Sequence, residues 1–257
     1  MQLPLKGHYL MKPRLLLLAT FLLSCFVPAF AGDDITKELI TSKGVTRAYY
    51  LYVPASVKAS SPAPLVVLLH GSGRVGNSLV EKWKDLAKKE GFIIAGPDST
   101  NTRGWRAPED GPDYLRDLVE ELKAKYPINA RRVYLFGHSA GASFALQICL
   151  MESQYFAATA VHAGLLADDS DLIDLAKRKI PIFIQVGDRD AGLPVKAVRE
   201  TRDALTEKGF PVELVELPNH DHWYYDLAPK INRAAWDFLK KYELESDPIY
   251  RKFDFND

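Results

Sequence analysis

The pentapeptide Gly137-His138-Ser139-Ala140-Gly141 sets a hydroxyl between two glycines, after the apolar run Arg132–Phe136 and before a helical pattern over Gly141–Met151. A G-x-S-x-G turn between a strand and a helix holds its serine in a strained conformation, and the glycines relieve the crowding. The turn lifts Oγ above the strand and sets amide hydrogens of the helix start beside it. That suits attack on an acyl carbon. Such a nucleophile needs a general base, and the base needs an orienting carboxylate. Downstream, Gly187-Asp188-Arg189-Asp190 offers two carboxylates and His220-Asp221-His222 two imidazoles. The order serine, acid, histidine fits the turn. Position alone leaves Asp188 or Asp190, and His220 or His222, open.

An acyl-transfer site also needs two N–H donors for the developing oxyanion. Ala140, next to the nucleophile, is one. The loop His70-Gly71-Ser72-Gly73, after the apolar run Leu65–Leu69, supplies the other, with Ser72 the expected donor and Gly71 the alternative. His70 is expected to buttress that loop, and His138 to pack beside the serine. Asp188 is expected to fix local backbone, and Asp221 to cap or turn the base loop. Trp105, His162 and Trp223 are candidate pocket residues, the two tryptophans as a shared aromatic wall. No metal or other cofactor is called for. A metal site on His220-x-His222 would need further ligands at matching strand ends and would make the serine turn a coincidence.

These side chains need a scaffold that gathers strand ends. Continuous apolar runs at Leu65–Leu69, Phe92–Ala95, Val133–Phe136, Ala157–Val161, Ile182–Val186 and Val212–Leu217 read as strands buried on both faces. Helical patterns alternate with them near 79–89, 112–125, 141–151, 171–179, 194–208 and 228–240. Arg47–Val53 reads as an early antiparallel strand, and 60–64 as a loop. The alternation specifies a doubly wound, mostly parallel α/β sheet flanked by helices, with functional residues at the strands' carboxyl ends. Val161 to Pro181 leaves no room for a large lid.

The chain has 257 residues, 47% apolar and 26% charged, with a formal net charge of zero. Nothing polybasic points to nucleic acid. Lys12 and Arg14, the apolar run 15–23 and Val27-Pro28-Ala29-Phe30-Ala31 read as an export signal over 1–31, with one domain over 32–257. The run is too short to span a membrane. Met11 is an alternative start to Met1. Leu22-Leu23-Ser24-Cys25 offers a competing lipoprotein reading, with Cys25 lipidated. Cleavage at 31 removes three basic residues, Lys6, Lys12 and Arg14, and leaves a weakly acidic chain with Cys149 alone. That thiol, among Ala145, Leu146, Ile148 and Leu150, reads as buried and inert.

Arg47-Ala48-Tyr49-Tyr50-Leu51-Tyr52-Val53-Pro54, the Leu68-Leu69-His70-Gly71 loop and the serine turn together resemble the polyhydroxybutyrate depolymerase and feruloyl esterase group, with S-formylglutathione hydrolase-like esterases in the wider set. The resemblance runs from about Val45 to Leu239. It implies an α/β-hydrolase fold, with a G-x-x-D loop placing the acid at Asp190 and an Asp-His-x-Tyr-Tyr pattern placing the base at His222. It further implies cleavage of carboxylic esters (feruloyl, acetyl, hydroxyalkanoate or short acyl) through an acyl-enzyme on Ser139. The partner is then a small or oligomeric ester. A peptidase or amidase would use the same groups, and a catalytically dead binding protein is the reading from another class.

Overall fold

The computed structural model describes residues 32, 34–166 and 170–251. The expected export signal and Cys25 lie outside the described residues. Eight strands form one sheet: β1 (Thr36–Ser42), β2 (Val45–Tyr52), β3 (Ala63–Leu69), β4 (Ile93–Pro97), β5 (Ile128–His138), β6 (Ala158–His162), β7 (Ile182–Gly187) and β8 (Val212–Leu217). Their order is β1-β2-β4-β3-β5-β6-β7-β8. β2 runs antiparallel to β1 and to β4, and the other neighbouring pairs are parallel. Five helices cover the sheet: α1 (Asn77–Glu90), α2 (Pro112–Lys125), α3 (Ala140–Met151), α4 (Val195–Glu207) and α5 (Tyr224–Leu239).

The apolar pattern explains the layering. In β3 every residue is buried, because helices cover both faces of a central strand. Leu65, Val67 and Leu69 face one core with α2, α3 and α4, while Val66 and Leu68 face the other with α1 and α5. Trp83, Phe92, Phe136 and Trp236 anchor that second core. Cys149 is buried in the first, and burial pushes its thiol up to about 12. It is buried, as expected.

Several sequence expectations need correction. β1 was not expected: its polar Thr-Lys-Glu start hides a strand that pairs only with β2. β3 begins at Ala63, inside the stretch read as loop, where the Ala63 amide donates to the Pro127 carbonyl. β8 is not buried on both faces: it lies at the sheet edge, with Glu213 and Val215 exposed. The helix expected over 171–179 is a short 3-10 segment, Ser170–Leu175. Its continuation is broken because the Lys177 and Arg178 amides donate to Ser153 Oγ, and the Arg178 guanidinium reaches the carbonyls of Ser153, Phe156 and Ala157. Between β6 and β7 there is too little chain for a folded lid.

Candidate active site

β5 ends at His138 and α3 starts at Ala140, so Ser139 alone makes the turn. Its φ of 56° and ψ of −122° lie where a residue with a Cβ is strained. Close packing holds it there. A Cβ on Gly141 would lie 2.1 Å from the Leu69 carbonyl oxygen, and one on Gly137 would lie 2.2 Å from the Gly141 oxygen. Only glycine lets the helix start come this near to β3 and β5.

Asp190 and His222 arrive from the ends of β7 and β8. Ser139 Oγ lies 2.8 Å from His222 Nε2, and His222 Nδ1 lies 2.8 Å from Asp190 Oδ2. A carboxylate only accepts, so Nδ1 carries the hydrogen and Nε2 accepts from the Ser139 hydroxyl. The Asp190 side chain is fully buried, whereas that of His222 is 37% exposed. Asp190 Oδ1 accepts from the Gly192 and Leu193 amides at 2.9 and 2.7 Å. These bonds compensate the desolvated charge and fix which oxygen meets the imidazole.

The geometry separates the open pairs. Asp188 is exposed, and its side chain makes no hydrogen bond among the described residues. The loop-fixing expected of Asp188 is carried instead by Asp190 Oδ1. His220 is buried and turned away, its Nε2 lying 3.1 Å from His162 Nε2. The two imidazoles of His220-x-His222 thus point to different partners. Among the described residues no group of three or more His, Cys, Asp or Glu could hold a metal ion. Asp221 acts as expected: its Oδ1 accepts from the Trp223 amide and turns the chain into α5.

The His70–Gly73 loop packs against Ser139. A Cβ on Gly71 would lie 3.4 Å from Ser139 Cβ. No acceptor among the described residues takes the Ser72 amide hydrogen. Ala140, as the first residue of α3, likewise has no intrahelical acceptor for its amide. His70 is the expected buttress. Its Nε2 accepts from the Ser99 amide at 3.2 Å, which leaves the hydrogen on Nδ1 for the Gly71 carbonyl at 2.9 Å. Burial pushes its pKa down.

Of the expected pocket residues, Trp105 is half-buried and donates through Nε1 to the His70 carbonyl at 2.8 Å, stacking on Phe144. Trp223 is 46% exposed, and its ring carries the Arg74 guanidinium, 5.3 Å from the centroid. Among the described residues the two tryptophans share no ring contact. His162 does not line a pocket. It is fully buried at the end of a central strand, between His138 and His220. Burial and neighbouring imidazoles press His138 down to about 3 and His162 to about 2.

Sequence reasoning missed the anchor of the Trp105 loop. Asp110 Oδ1 accepts from Arg47 and from the amide and hydroxyl of Thr100, each at 2.7 Å, and Oδ2 accepts from the Arg106 amide at 3.0 Å. The Arg47 guanidinium lies over the Tyr114 ring at 3.4 Å. Arg47 and Asp110 are 63 residues apart, so no local pattern announces the pair.

The dienelactone hydrolase family matches residues 99–237 of the chain. A bifunctional acetylxylan esterase/xylanase of Neocallimastix patriciarum is 28% identical over 153 residues, 58% of this chain and 22% of that protein. Poly(3-hydroxyalkanoate) depolymerase C of Paucimonas lemoignei is 29% identical over 128 residues, 45% of this chain and 30% of that one. The matches thus take in less than a third of either curated relative. A ferulic acid esterase from Anaeromyces mucronatus, solved with ferulic acid, superposes with a TM-score of 0.64 at 18% identity, covering 81% of this chain and 90% of its own. At that identity the likeness speaks for the α/β-hydrolase fold.

Proposed function

The chain belongs to the dienelactone hydrolase family, and from that membership we propose that it is an exported serine esterase acting on carboxylic esters through an acyl-enzyme on Ser139. One observation carries the reading: the unbroken line of hydrogen bonds from Ser139 Oγ through His222 to buried Asp190 Oδ2. As Oγ attacks the ester carbonyl, His222 Nε2 takes its proton. Asp190 holds the imidazole in the right tautomer and stabilises its charged form. The oxyanion meets the amides of Ala140 and Ser72, which have no other acceptor among the described residues. His222 then returns the proton to the leaving alkoxide, and a water repeats the sequence to free the acid.

The acyl group follows from analogy with the relatives: acetyl, hydroxycinnamoyl and hydroxyalkanoate esters are the candidates, reached through an open cleft. Export rests on the charged, apolar and Ala-x-Ala pattern of 1–31. No described helix is long and apolar enough to cross a membrane. The test is turnover of p-nitrophenyl acetate and labelling by a fluorophosphonate, with the parent protein beside Ser139→Ala. Parent turnover and labelling, both lost in the variant while thermal unfolding is unchanged, are expected. Activity retained in the variant would overturn the assignment.

A further inference from the structure

Beneath the Ser139–His222–Asp190 line lie three imidazoles that the reaction does not use. His138 ends β5, His162 ends β6, and His220 stands in the turn after β8. They are 4%, 0% and 5% exposed. His138 Nδ1 lies 3.0 Å from His162 Nδ1, and His162 Nε2 lies 3.1 Å from His220 Nε2. Each nitrogen–nitrogen contact this short needs one hydrogen in it. A neutral His162 has only one, so it donates through one ring nitrogen and accepts through the other. Burial favours that neutral form.

The main chain of the same residues joins the same segments. The His162 carbonyl accepts the Ser139 amide at 3.0 Å, and the His220 carbonyl accepts the Arg189 amide at 2.9 Å, beside Asp190. His162 thus touches the nucleophile's backbone directly and the base loop through His220, two residues before His222. A longer amide side chain cannot replace it, since both amide heteroatoms sit at one end of the chain and cannot reach opposite partners.

We propose that His162 is a positioning residue whose two ring nitrogens clamp the serine turn to the base-bearing loop and so set the Ser139–His222 distance. The proposal rests on the serine-hydrolase reading of this site. It calls for no contact between His162 and substrate. Loss of the clamp should therefore lower kcat and leave KM alone.

The experiment compares the parent with His162→Leu and His162→Gln on p-nitrophenyl acetate, with active Ser139 counted by fluorophosphonate titration. Per active serine, kcat of His162→Leu is expected to fall about 100-fold, the scale of a misplacement near 1 Å. KM should stay within about twofold. His162→Gln, able to keep one of the two contacts, should recover part of the loss. A purely structural role would reduce the count of active serines and leave the per-serine kcat unchanged, and that result would overturn the proposal. Should His162→Leu not fold, His220→Gln loosens one contact only. An expected fall of about 10-fold in its per-serine kcat supports the clamp, and an unchanged value overturns it. In the 15N-histidine-labelled parent, nitrogen–nitrogen couplings from His162 to both neighbours are expected, and their absence would also overturn it. A parent with neither turnover nor labelling would sink the hydrolase reading and this role together. An active parent matched by its variants would sink this role alone.

Discussion

Asp190 uses both of its oxygens, one for the loop and one for the imidazole. Asp190→Asn keeps the size but can point an amide N–H at His222 Nδ1, which drives the ring hydrogen to Nε2, where Ser139 must donate. A fall in kcat of about 10⁴-fold with little change in thermal unfolding is expected. Steady-state kinetics beside a melting curve check it. His222→Ala should lose far more activity than His220→Ala, because only His222 reaches Ser139. The opposite ranking would move the base role to His220. Ser139 was legible in the sequence because its turn chemistry is local: the glycines, the strand and the helix all lie within a few residues. Asp188 and Asp190 were not separable by position, since the direction of a loop side chain depends on the neighbouring strand. His162 was misplaced for a related reason. A strand end suggests exposure, and nothing in β6 itself reveals that β5 and the turn after β8 close over it.

Two elements lean on buried carboxylates. The loop carrying Trp105 hangs on Asp110, 1% exposed and paired with a nearly buried Arg47. Asp110→Ala strands that guanidinium and should cost about 3–5 kcal/mol in urea unfolding. If Trp105 borders the substrate, KM should rise in the same variant. The segment after Leu244 is held in part by Glu152 just after α3, whose Oε2 accepts the Arg251 amide at 3.1 Å while Oε1 is buried without a partner, and in part by the Gln154 and Leu175 carbonyls. Burial raises the Glu152 carboxyl to about 7. A raised carboxyl pKa favours the folded state at low pH, and that contribution is lost as pH climbs from its ordinary 4.5 through 7. Glu152→Gln, neutral at every pH, should therefore stabilise the fold by about 1–3 kcal/mol at pH 8 and do little at pH 4. Chemical denaturation at the two values decides it. Helix α2 was read to the residue because Pro112 marks its start and its apolar spacing runs on to Leu122. α5 was read to start four residues late, since Pro229 looks like a boundary yet sits in the helix's second turn.

Across the whole molecule, the doubly wound sheet was readable because its central strands are uninterrupted apolar runs. The edge strand β1 was not, because its start is polar, and β8, read at its observed bounds of Val212–Leu217, was misread only as buried on both faces. The buried histidines give the molecule an acid sensitivity. His138 and His162 have folded-state values of about 3 and about 2, below their ordinary 6.5. The unfolded chain therefore takes up protons that the folded one refuses. The contribution of these rings to stability should be complete above pH 6.5 and be lost progressively as pH drops below it. Glu152 opposes this between pH 7 and 4.5, so Glu152→Gln should show the steeper decline. A flat urea midpoint from pH 7 to 5 in that variant would contradict neutral burial of the two rings. The short connection between β6 and β7 bears on chemistry as well as shape. With nothing among the described residues folded over the half-exposed His222, an acylated Ser139 would be as approachable to a small alcohol as to water. In methanol-containing buffer, methyl ester should then accumulate beside free acid, in a ratio that follows the alcohol's share of the solvent.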